Sequence, residues 1–130
     1  MRNKETKQMA SSLDITTAYQ TVSQPSGWGS VALKGGQVVL TFKRTSGTSL
    51  TFKVDELFSY KNTSGVEVVG FTTRKEVDSV GTGMDDIEIT ETDTTFSYAF
   101  TTLADEIQVQ VKGGDGDEVL DLLMTVGEVQ

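Results

Sequence analysis

Phe96-Ser97-Tyr98-Ala99-Phe100 and, shortly after it, Ile107-Gln108-Val109-Gln110-Val111-Lys112 decide the fold. In these runs apolar side chains recur at every second position, a rhythm that a strand converts into one buried and one open face. Toward the C-terminus the rhythm continues in Leu120, Leu122, Met124 and Val126, with Asp121, Leu123 and Thr125 between them. Toward the N-terminus it recurs in Leu50-Thr51-Phe52-Lys53-Val54, in Val38, Leu40 and Phe42, and in Leu13, Ile15 and Thr17. Gly-containing segments at 34–37, 45–48, 62–65 and 113–117 separate the runs as hairpin loops would. About eight to ten short strands at this spacing predict an all-β antiparallel sandwich or barrel. Helical signals are limited to Val54–Phe58 and Thr102–Glu106, each one turn at most. The expected core comprises Leu33, Leu40, Phe52, Phe96, Tyr98, Phe100, Ile107, Val109, Val111, Leu120 and Leu122.

Size and composition bound the function. A chain of 130 residues with 36% hydrophobic content supports one modest core. The absence of both Cys and His removes Ser-His-Asp and Cys-His nucleophiles, zinc fingers, haem histidines and disulfides. No run of apolar residues is long enough for a transmembrane helix, and the N-terminus lacks the apolar segment of a secretory signal. Residues 1–11 are polar and charged, and are expected to form a flexible arm ahead of a single domain over 12–130. The net charge of −8 makes free nucleic acid and anionic membrane poor partners. Through Lys75 there are ten Lys/Arg against five Asp/Glu, a net of +5; from Glu76 onward there is one against fourteen, a net of −13. Such opposed halves attract, within one fold or between copies.

Each candidate site has a plain alternative. Asp115, Asp117 and Glu118, in a Gly-rich segment, could offer oxygen ligands to calcium, but the spacing departs from the EF-hand and a solvated acidic hairpin explains it as well. Asp85, Asp86, Glu88, Glu91 and Asp93 invite a glycosidase carboxylate pair, yet same-face carboxylates on an open strand need no catalytic cause. Trp28, in Pro25-Ser26-Gly27-Trp28-Gly29, could stack on a sugar with Tyr19 or Tyr60, anchor a protein interface, or cover the end of the sandwich. Lys43-Arg44 and Arg74-Lys75 are expected to be solvated beside turns. No cofactor is expected.

The pattern as a whole resembles small tailed-bacteriophage virion proteins. The carriers are Ala10 to Val22 as an entry strand, with Leu13, Tyr19 and Val22, then a Gly-containing loop and a strand such as Trp28–Leu33. The closing strands are Phe96–Phe100 and Leu103 to Lys112. The resemblance implies a jelly-roll sandwich acting as a capsid decoration (cement) protein or a neck or tail component, and it carries over no functional residue. The expectation is therefore a non-enzymatic virion protein on the capsid surface, made in the bacterial cytoplasm. Its expected partners are itself, as a homo-oligomer with a trimer favoured, and the major capsid or other virion proteins. Arg2, Lys4 and Lys7 of the arm, with Trp28, are the expected contact residues. The rivals are a carbohydrate-binding or receptor-binding module built on Trp28 and nearby tyrosines, and a hydrolase using carboxylates alone.

Overall fold

The computed structural model describes residues 4–26, 36–77, 83–84, 87–89 and 94–127. Among the described residues eleven strands follow one another: β1 (Lys4–Asp14), β2 (Gln20–Ser23), β3 (Gln37–Ser46), β4 (Leu50–Lys61), β5 (Glu67–Thr73), β6 (Glu76–Val77), β7 (Gly83–Met84), β8 (Ile87–Ile89), β9 (Thr95–Thr101), β10 (Glu106–Gly113) and β11 (Val119–Gly127). One sheet has the order β1-β11-β3-β9. The other has the order β2-β10-β4-β5, with β8 also paired to β4. All pairings are antiparallel. With the short β6, β7 and β8 set aside, the eight main strands interleave between the sheets in the double Greek-key order of a jelly roll.

The period-two pattern works as expected at the core. Val38, Leu40 and Phe42 of β3, with Leu120, Leu122, Met124 and Val126 of β11, are buried from one sheet; Leu50, Phe52 and Val54 of β4, with Ile107, Val109 and Val111 of β10, are buried from the other. Phe42 and Phe52 join the two layers with ring centroids 4.2 Å apart, and Phe96 and Tyr98 close around Phe52 at 6.1 and 5.6 Å. Phe96 and Tyr98 are only partly buried, because β9 is an edge strand, and Leu33 lies outside the described residues.

Three local expectations are corrected. Residues 4–11 are not a flexible arm: they form most of β1, paired with β11 from Lys4↔Gly127 to Asp14↔Val119. The apolar strand β11 has two edges, β3 covers one, and β1 covers the other; Met9, Ala10 and Leu13 pack on the core. Val54–Phe58 runs straight on within β4, since β10 as far as Leu57 and β5 from Asp55 onward supply ladders that one helical turn could not match. Thr102–Glu106 forms no helix either, and Glu106 opens β10.

Arg44 and Arg74 are not simply solvated. Arg44 is buried and donates to the Gly47 carbonyl. Arg74 donates to Tyr98 Oη at 3.0 Å, stacks 4.8 Å from the Phe100 ring centroid, and lies 4.0 Å from Glu56.

Candidate interaction surface

The acidic 113–118 segment is an internal clamp. Glu118 is fully buried, and its carboxylate accepts N–H bonds from Thr48 at 3.0 Å, Gly116 at 3.1 Å, Ser49 at 3.3 Å and Asp115 at 3.4 Å. Its own carbonyl accepts the Ile15 N–H, so one residue ties together the loop after β3, the loop after β10 and the end of β1. Burial raises the carboxyl's pKa, but the N–H bonds from Thr48 and Ser49 and the bond with Asp115 outweigh it and bring the value down to about 2. Asp115 is occupied too, accepting from Thr48 Oγ1 at 3.1 Å and from Asp117 N–H at 3.0 Å. Among the described residues no three acidic groups converge as metal ligands would.

Asp55 forms a second internal clamp, on the outer face of the β2-β10-β4-β5 sheet. It accepts from Thr73 Oγ1 at 2.8 Å, Gln108 Nε2 at 2.9 Å and Gln110 Nε2. Burial raises its pKa, and the bonds from Gln108, Gln110 and Thr73 with the charge of Lys53 bring it below the usual carboxylate range. A carboxylate held ionised by three donors joins β10, β4 and β5; it is poorly placed to move protons.

The remaining expected residues disperse. Lys4 is exposed on β1, and Lys7 Nζ donates to the Ser26 carbonyl at 3.1 Å. Arg2, Trp28, Asp85, Asp86, Glu91 and Asp93 lie outside the described residues, and Glu88 sits on β8 in register with Thr51. Lys53 Nζ and Lys112 Nζ both lie over the Tyr19 ring, at 4.5 and 4.7 Å from its centroid. Tyr60 is seven residues beyond Lys53 along β4, roughly 20 Å away at strand rise, so the two tyrosines do not share one stacking platform.

The surface that stands out is the far half of the β4–β5 hairpin. The β10–β4 ladder ends at Glu106↔Leu57, and from Phe58 to Lys61 β4 is paired only with β5. This part projects past the sheet as an arm. Phe58, Tyr60 and Val68 occupy one face, and Leu57, Val69 and Phe71 the other. Tyr60 and Val69 are each 58% exposed, Phe71 44% and Phe58 39%. The arm is braced at both ends. At its base, Asp105 donates its N–H to the Leu57 carbonyl at 2.9 Å and accepts the Ser59 N–H at 2.8 Å. At its tip, Asn62 Oδ1 accepts the Ser64 and Val66 N–H groups at 2.9 and 3.0 Å, and Gly65 takes φ +80°.

A second unusual surface covers the outside of the other sheet. The register aligns Thr6, Thr125, Val39 and Ala99 in one row and Gln8, Leu123, Thr41 and Ser97 in the next. None of these eight residues is charged, in a chain that is 23% charged. The hydroxyls pair among themselves, Thr6 with Thr125 at 2.8 Å and Thr41 with Ser97 at 3.4 Å, and Leu123 is exposed among them.

The sequence carried a signal for the arm: Leu57-Phe58 and Val68-Val69 are adjacent apolar pairs, which put a hydrophobic side chain on both faces at once. No protein-family model, no curated protein and no solved structure matches this chain.

Proposed function

We propose that this chain is a non-enzymatic structural protein of a phage virion, a capsid decoration protein that stabilises the head through contacts with its own copies and with the major capsid protein. The observation that supports an assembly role most directly is the β4–β5 arm, apolar on both faces and braced at both ends. Soluble monomers rarely present apolar surface of this kind unless something docks on it. Glu118, the calcium-ligand candidate, is in keeping with this, since its carboxylate accepts N–H bonds from within the fold. The virion assignment rests on the resemblance of residues 10–126 to small phage proteins.

The test has two arms. The gene is expected to lie beside a major capsid gene. Particles made from a genome that carries it are expected to contain the chain in many copies by quantitative mass spectrometry. Its absence from purified particles overturns the reading, and neighbouring baseplate or tail-tube genes move the protein from head to tail.

A further inference from the structure

The outer edge of β5 has no paired strand among the described residues. Two bonds at the ends of the hairpin, Asn62 N–H to the Val66 carbonyl at 2.9 Å and Arg74 N–H to the Val54 carbonyl at 2.7 Å, fix the parity of the ladder between them. Val68, Gly70 and Thr72 therefore direct their N–H and C=O groups at β4, while Glu67, Val69, Phe71 and Thr73 direct theirs away from it. Among the described residues no strand lies on that side of β5. Lys, Pro and bulges, the usual guards of an exposed edge, are absent from Glu67–Thr73.

We propose that β5 pairs with β5 of a second copy of this chain, antiparallel about a two-fold axis through Gly70, an inference that rests on the assembly reading above. In this register Val69 of each copy forms a hydrogen-bonded pair with Phe71 of the other, and Glu67 faces Thr73. Leu57, Val69 and Phe71 of both copies then make one apolar strip across the axis. A centre at Val69 sets Glu67 opposite Phe71, and a centre at Phe71 sets Val69 opposite Thr73 and carries Glu67 past the end of β5, so the apolar Val69–Phe71 pairs and the full strand length favour the centre at Gly70. Gly70 meets Gly70 as a non-hydrogen-bonded pair, the closest backbone approach in an antiparallel ladder. On the face that carries the strip, Val69 and Phe71 are about half exposed and offer roughly 200 Å² per copy, given ~150–250 Å² for a fully buried large aromatic. That is well below the ~800 Å² per partner of a standard interface, so the main-chain hydrogen bonds carry the contact. An isologous contact closes at two copies, so this pairing makes a dimer in place of the expected trimer.

Single cysteines test the register cleanly, because the chain has none of its own. A side chain at Gly70 meets open space, so Gly70→Cys is tolerated. Under mild oxidation Gly70→Cys is expected to form a covalent dimer at least about tenfold faster than Thr72→Cys, whose two copies would sit about 13 Å apart, beyond disulfide reach. Sedimentation of the unmodified full chain should give twice 14.1 kDa, and Val69→Lys/Phe71→Lys should return it to 14.1 kDa with its circular dichroism unchanged. A wild-type monomer, a trimer, or equal cross-linking at both positions overturns the pairing. None of these outcomes touches the presence of the chain in purified particles, which tests the assembly reading separately.

Discussion

The carboxylate of Glu118 occupies the space that a side chain on Gly113 would fill, and its side chain also lies within 2.7 Å of where a β-carbon on Gly47 would stand. Two glycines, one at the end of β10 and one in the loop after β3, thus keep open a cradle for one buried charge, and the four N–H groups around it stand in for water.

That relationship makes Gly113→Ala costly, by about 2–4 kcal/mol of unfolding free energy, because the β-carbon overlaps a carboxylate that has no room to leave. Gly47→Ala adds a left-handed backbone, φ +86°, to the same overlap. In a Glu118→Ala background the Gly113→Ala cost should shrink markedly, a coupling that urea unfolding of the four-member cycle would measure.

Acid should weaken the fold through the same residue. Its folded pKa of about 2 lies below the ordinary 4.5, so the stability it contributes is complete above about pH 4.5 and is lost as pH falls toward 2. Asp55, also lowered, acts in the same direction. Denaturant midpoints measured at pH 7, 4 and 2.5 should fall in that order, and Glu118→Gln should flatten the decline while lowering the value at pH 7.

Asp55→Ala removes the acceptor shared by Thr73, Gln108 and Gln110, and should cost about 1–3 kcal/mol. Because the lost bonds join β5 and β10 to β4, amide exchange should accelerate first along β5, which among the described residues pairs with β4 alone, whereas β10 has two neighbours. Uniform acceleration over both sheets would contradict this.

Asn62→Ala should loosen the arm and little else. It deletes two N–H bonds at the tip, worth about 1 kcal/mol locally. Exchange at Phe58–Lys61 should rise while the global unfolding midpoint hardly moves, since this part of β4 is paired with no other described strand than β5.

Truncation of residues 1–10 should be far more damaging than loss of a loose tail. It strips most of β1 from β11 and opens the Leu122 and Met124 edge of the core, so the shortened chain should unfold at several kcal/mol less or fail to fold. Unchanged thermal stability would mean that β1 contributes nothing.

The sequence by itself determined the sandwich and its core, because alternation in 37–42, 50–54, 107–112 and 119–126 is a local property that burial on one face imposes residue by residue. It also held the arm, in the adjacent pairs Leu57-Phe58 and Val68-Val69, though nothing local says that both faces stay open. Tertiary structure alone decided the rest. Lys4–Ala10 looks like a polar tail until β11 offers it an unpaired apolar edge, and strand pairing is a contract between distant segments. Glu118 reads as a solvated acid or a calcium ligand until the 47–49 and 113–116 loops fold over it, 70 residues apart in sequence at the Thr48 bond. What a charged side chain does depends on which donors reach it, and those donors come from parts of the chain that only the packed fold brings together.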